Sequence, residues 1–232
     1  MATAKTRQKI LKSFLDLLSE NSYEDIGMPL LAKTADVKLS ALRECFTSKR
    51  ALVQAFVESV DVAVLDDRDE DMADQPARDR LFDILMTRID HLAPHKQAIR
   101  SLHKAARKDP GLAMEFNSIA VRSQRWMLIA AGIELSGFKG RFAAQGLAVA
   151  FARVVETWLD ESDEGMPRTM AKLDKELDQG EVWMGRFDRA AKFTRPLRAA
   201  GKFARRRRRR REPTEDGRSE AETGAGFEAA DA

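Results

Sequence analysis

The chain has 232 residues, 44% hydrophobic and 33% charged, with 40 Lys+Arg against 37 Asp+Glu and a formal charge of +3. That length exceeds one average domain and falls short of two large ones, so one or two compact units plus a tail are expected. A single cysteine, Cys45, excludes an internal disulfide and a cysteine-rich zinc site, and fits a reducing, cytoplasmic setting.

The small net charge conceals segregation. Residues 186–211 carry 13 basic groups and one acid (+12), and residues 212–232 carry seven acids and Arg218 (−6), which leaves the first 185 residues at −3. The basic balance therefore comes from one short run and says nothing about partners of the body. No window approaches 18 apolar residues free of charge, so no transmembrane helix is expected. Met1–Leu11 holds Lys5, Arg7 and Lys9 with no apolar stretch after them, which does not read as a signal peptide. With 13 Gly, seven Pro, one Tyr and few Val-Ile-Thr alternations, the composition points to an all-α fold.

In chain order, Ile10, Leu11, Phe14, Leu15, Leu17 and Leu18 make one stripe of a helix over Thr6–Asn21. A short helix follows over Met28–Thr34, with Pro29 in its first turn. Ala35-Asp36-Val37 reads as a tight turn, and Lys38–Phe46 as a third short helix. Thr47 or Ser48 caps a fourth, running through Leu52, Phe56, Val60 and Val64. Asp61–Asp74 holds seven acids against Arg68 and is expected to be a loop between a small unit and a larger one. Helices are expected beyond it at about 76–92, 94–108, 111–135, 138–160 and 166–180, with Pro76, Pro94, Pro110 and Pro167 near their starts. No internal repeat is visible.

Three short helices with a tight turn between the second and third form a helix-turn-helix pattern. Leu30, Leu31 and Ala35 offer the second helix a buried face, and Val37 and Leu42 plug into it. That would leave Lys38, Leu39, Ser40 and Arg43 on the outer face of the third helix, with Lys49 at the start of the fourth, as candidate DNA contacts. No Asn, Gln or further Arg lies in the third helix to read base edges bidentately. Residues 1–60 hold nine basic and seven acidic groups, a thin electrostatic footprint.

The stretches Asn21-Ser22-Tyr23, Leu31-Ala32-Lys33-Thr34-Ala35-Asp36-Val37 and Leu42-Arg43-Glu44-Cys45-Phe46-Thr47-Ser48-Lys49-Arg50-Ala51-Leu52 make residues 6–56 resemble the TetR family of bacterial transcriptional regulators. The chain departs from the family pattern at four places. Asp36 stands for the turn glycine, Arg43 for a phosphate-contacting tyrosine, Cys45 for a histidine, and Lys38 for a small or hydroxylic residue. Arg80–Met86, Arg125–Met127, Val155–Asp160 and Arg168–Asp174 are similar to a subgroup, the TetR-fold ubiquinone-biosynthesis accessory proteins. That subgroup binds isoprenoid lipids and touches membranes through a C-terminal amphipathic helix.

The resemblance implies a helix-turn-helix DNA-binding unit at 1–60 and a helical ligand-binding and dimerisation unit at 76–182. A basic amphipathic segment at 183–211 and a disordered acidic tail at 212–232 follow. The implied partners are double-stranded DNA, a small apolar effector and a second copy of the chain. Phe82, Met86, Ile89, Leu102, Met114, Phe116, Trp126, Met127, Ile129 and Phe151 are mostly core by type, and together are candidates to line an apolar pocket.

Phe142, Leu147, Phe151, Val154, Val155 and Trp158, then Met166, Met170, Leu173 and Leu177, supply apolar stripes for a four-helix dimer interface or for packing within the chain. His91, His95 and His103 lie close in sequence, but Asp90 and Asp109 are not at convincing metal spacing, so no metal and no cofactor are expected. No nucleophile–base pair or phosphate loop stands out, so no catalytic residue is expected. Trp183–Arg211, ending in the arginine run Arg205–Arg211, is a candidate for contact with nucleic acid or an anionic membrane. The rival to a DNA-binding regulator is thus a lipid-binding accessory protein of the same fold, anchored by that segment.

Overall fold

The structure, a computed structural model, describes residues 3–180; the segments expected at 183–211 and 212–232 lie outside them. Among the described residues every regular element is helical, as the composition indicated. Helix α1 spans Ala4–Glu20, α2 Met28–Thr34, α3 Leu39–Cys45 and α4 Lys49–Asp66. Then come α5 at Ala77–Leu92, α6 at Lys96–Lys108, α7 at Pro110–Ala130 and α8 at Gly137–Leu159. A last helix, α9, covers 167–180 within the described residues.

Local chemistry sets the ends. The Thr3 hydroxyl accepts from the Thr6 amide at 3.2 Å, so α1 begins before the apolar stripe does. The Ser48 side chain caps α4 through the Ala51 amide. Asp109 takes two first-turn amides of α7, from Gly111 and Leu112, ahead of Pro110.

Two boundaries differ from expectation. Helix α4 runs on to Asp66, so Asp61 to Asp66 of the acidic stretch are helical, because Val60, Asp61 and Val64 continue its buried face. Helix α7 stops at Ala130 instead of near 135. There Gly132, at φ 71°, donates to the Ile129 carbonyl while Ile133 donates to that of Leu128, a left-handed cap that turns the chain out of the helix. The glycine at 140 is required by space, since a Cβ there would sit 2.1 Å from the Leu135 carbonyl oxygen.

The described residues share one continuous core from Ile10 to Leu177. Helix α1 packs on α6, and α4 packs on both α5 and α7. Thus α4 belongs at once to the first three helices and to the bundle behind them. Among the described residues no helix is long and apolar enough to cross a membrane.

Candidate nucleic-acid interface and bundle interior

Ile10, Phe14 and Leu18 of α1, Leu31 and Ala35 at α2, Leu42 of α3 and Phe46 are buried together. Leu30, expected on that face, is instead 41% exposed, one position off the inward stripe set by Leu31. The turn between α2 and α3 has a defined cause. The Val37 amide donates to the Ala32 carbonyl and the Asp36 amide to that of Lys33, leaving Asp36 at φ 46°. This is the same left-handed helix cap as at Gly132, with aspartate in the glycine position.

Helix α1 then ties both ends of α3. The Lys9 ammonium reaches the Asp36 carboxylate at 3.4 Å, ahead of the helix. Arg7 donates to the Cys45 carbonyl at 2.8 Å and lies over the Phe46 ring at 4.3 Å, behind it.

With Leu42 inside, Leu39, Ser40 and Arg43 are exposed along α3, and Lys38 is exposed at its N-cap. Leu39 is 52% exposed, an apolar side chain facing outward. Sequence reading overlooked two neighbours, Lys33 at the end of α2 and Glu44 beside Arg43, both exposed. Glu44 carries the sign that phosphate repels.

Lys49 is placed differently. Its ammonium donates to the Tyr23 carbonyl at 2.7 Å and sits 4.3 Å over the Tyr23 ring, and burial pushes its pKa down. It is held by the fold and does not share the outer face of α3. Arg50 is likewise engaged, at the surface, with Ser118 and Glu115 of α7.

The ten candidate pocket residues do not form one site. Ile89, Leu102, Met127 and Phe151 are buried in the bundle, with Phe82 and Met86 packed on its core. Met114 and Trp126, however, are 74% and 53% exposed on the outer side of α7. Phe116 packs edge-on against Tyr23, at the junction with the first helices. Helical period explains the division: residue type marks these side chains as core material, but 114, 125, 126 and 129 share the solvent side of α7.

Two clefts, of about 520 and 470 Å³, lie around the C-terminal end of α7 and the turn that follows it. Of the ten, Ile129 alone lines them. In the larger, Asp83 faces Asp69, and burial followed by that like charge raises the Asp83 pKa.

A polar cluster that sequence reading missed lies among the buried members. Arg88 of α5 is paired with Asp61 of α4, and Ser123 of α7 donates to the same carboxylate oxygen at 2.7 Å. Arg88 also touches the Met127 sulfur at 3.8 Å and lies 5.7 Å from the Phe151 ring centroid. All three polar residues are buried, as is Gln124 next to Ser123. An aspartate in an acidic run and an arginine in an amphipathic helix give no sign, in one dimension, that they meet inside.

The histidines are used locally. His91 reaches Asp67 at 3.3 Å, and His95 packs edge-on against Phe56, where burial lowers its pKa. The apolar stripes at the C-terminal end serve this chain first. Leu147, Phe151, Val154 and Trp158 of α8 and Leu173 and Leu177 of α9 are buried within it, while Val149 and Met170 are exposed.

No family model matches the sequence, and no curated protein matches it at a significant level. The fold does have solved counterparts. The TetR transcriptional regulator from Nitrosomonas europaea superposes with a TM-score of 0.60 at 19% identity, over 76% of this chain and 98% of that one. A TetR transcriptional regulator from a Rhodococcus species gives 0.57 at 19% identity, over 78% and 98%. FadR from Thermus thermophilus, a TetR-family repressor solved with lauroyl-CoA, gives 0.53 at 14% identity, over 75% and 92%. At these identities the likeness is one of architecture: this chain has the fold of the TetR-type transcriptional regulators.

Proposed function

We propose that this protein is a ligand-responsive, DNA-binding transcriptional regulator and not an enzyme. The observation that carries this reading is the mounting of α3. Leu42 and Phe46 bury one side, Lys9 and Arg7 fasten both ends to α1, and Lys38, Leu39, Ser40 and Arg43 stand outward together. An isolated seven-residue helix is unstable in water, so a helix held this firmly with its polar side outward is built to present that side.

In this reading residues 1–60 dock in a major groove, with Arg43 and Lys38 on phosphate or guanine and Leu39 against a methyl group. The remaining helices, 76–182, receive a small effector and a second subunit. Val149 on α8 and Met170 on α9 belong to the dimer face, and a dimer would present its two α3 helices roughly one DNA turn apart, about 34–36 Å. Control follows if the effector binds better to the arrangement of α4 that misplaces those helices.

Fluorescence anisotropy of the purified chain against DNA from upstream of its own gene tests the reading. Salt-sensitive, sequence-selective binding that weakens on Arg43→Ala supports it. Binding of equal strength to every fragment opposes it.

A further inference from the structure

The fold has no use for the side chain of Glu44. A helix turns about 100° per residue, so with Leu42 marking the inward direction of α3, Ser40 and Glu44 each lie about 160° from it, nearly opposite. Arg43 and Leu39 stand only about 100° and 60° from Leu42, on one flank. Ser40 and Glu44 are therefore the crest of the helix, and both are exposed. No cation stands at the helical spacings from Glu44, where Ser40 and Ala41 precede it and Thr47 and Ser48 follow. Among the described residues its carboxylate takes no hydrogen bond and no ion pair, whereas Asp36, the exposed acid ahead of the same helix, is paired with Lys9.

The position is unfavourable for an acid on two counts. Glu44 lies in the last turn of α3, where the carbonyl end of the helix dipole repels an anion. It also stands on the face that the regulator reading turns toward DNA, whose phosphates repel it again. A carboxylate with two such costs and no partner within the fold has its partner among the bases.

We infer that Glu44 is a specificity-determining residue, whose carboxylate accepts a hydrogen bond from the N4 amino group of a cytosine in the major groove. Cytosine is singled out by its chemistry. In that groove guanine shows two acceptors and thymine an acceptor and a methyl group, none of which donates to a carboxylate. Adenine offers an amino group beside the N7 acceptor, which repels the second carboxylate oxygen, whereas cytosine carries no acceptor of its own there. The same charge penalises any register that sets the crest of α3 against phosphate, so Glu44 selects by rejection as well as by attraction. This inference rests on the regulator reading and adds to it the base that the helix crest selects.

The test is selection from a random duplex library by the full chain, by Glu44→Ala and by Glu44→Gln, followed by fluorescence anisotropy on the selected duplexes. The parent is expected to recover half-sites with cytosine at one fixed position. Changing that C·G pair to T·A puts the thymine O4 acceptor where the amino group was, and should weaken parent binding about tenfold or more. Glu44→Ala is expected to lose the preference at that position alone and to bind unrelated duplexes more tightly than the parent, because a repulsion is gone, with the thermal midpoint not lowered. Glu44→Gln is expected to move the preference there to adenine, whose N6 and N7 match an amide.

A Glu44→Ala variant that selects the parent's sequence with its cytosine preference undiminished overturns the inference and leaves the regulator reading standing. A parent that selects a sequence with no fixed cytosine does the same. A parent that selects no sequence at all removes the regulator reading, and this inference with it.

Discussion

Asp61 and Arg88 meet inside the bundle, carboxylate to guanidinium, joining α4 to α5, with Ser123 of α7 bonded to the same carboxylate oxygen. Three helices thus converge on one oxygen. Since α4 also carries Leu52 and Phe56 into the core shared with α1, Asp61 lies on a continuous helix that links the first three helices to the bundle.

That geometry predicts an asymmetric pair of mutants. Asp61→Ala leaves the Arg88 charge buried without its partner and should cost about 3–5 kcal/mol. Asp61→Leu combined with Arg88→Met removes both charges and should recover much of that loss, because an apolar pair of similar volume owes no desolvation penalty. Urea denaturation of the two variants checks this. A double variant no more stable than Asp61→Ala contradicts it.

Arg43→Ala and Lys38→Ala should each reduce the slope of log affinity against log salt by about one unit for each phosphate no longer bound, with the thermal midpoint unchanged. Lys49→Met should behave in the opposite way. It breaks the bond to the Tyr23 carbonyl and the cation's approach to its ring, lowering the midpoint while leaving the salt slope near that of the parent. Anisotropy in a salt series, with scanning calorimetry alongside, separates the two classes.

Leu42→Ala opens a cavity under α3 and should cost about 2–5 kcal/mol. Because Leu42 anchors the helix that presents Arg43, affinity for DNA should fall further than for Arg43→Ala alone. Equal losses would mean that α3 keeps its place without its buried anchor.

Glu161 gives a pH dependence with a definite sign. Burial works to raise its pKa, but hydrogen bonds from the Thr169 hydroxyl and the amides of Arg168 and Thr169 outweigh burial and hold it below the ordinary glutamate value. The folded-state pKa is therefore depressed. The resulting stability is present above the unfolded-state pKa and is lost as pH falls through the folded one. Glu161→Gln should lower the midpoint at neutral pH and flatten its fall in acid, as read from thermal melts across pH; an unaltered acid limb refutes the assignment.

Val149→Glu with Met170→Glu places charge on exposed positions of α8 and α9 and should convert a dimer to a folded monomer, measurable by light scattering. If the dimer persists, its interface lies elsewhere on the chain.

The helices and the turn at Asp36 were legible in the sequence because periodicity and cap chemistry are local. Leu42 inward and Arg43 outward follow from adjacent places on one short helix. The Asp61–Arg88–Ser123 cluster was not legible, because Arg88 and Ser123 lie 27 and 62 residues from Asp61 and each resembles a surface residue in its own segment. The candidate pocket residues divide between inside and outside for a related reason. Met114 and Trp126 have core chemistry but point outward, and only the packing of α7 decides which side is inside. Lys49 matched a phosphate-binding place in the chain, yet Tyr23 holds it from 26 residues away.

On the proposed function, the outer face of α3 selects DNA. The most direct measurement recovers genomic fragments bound by the full chain and by the Lys38→Ala, Arg43→Ala double variant, at matched salt. A small set of selected fragments is expected for the parent chain, with loss of that selection in the variant. Identical fragments recovered by both proteins, or none enriched by the parent, would contradict it.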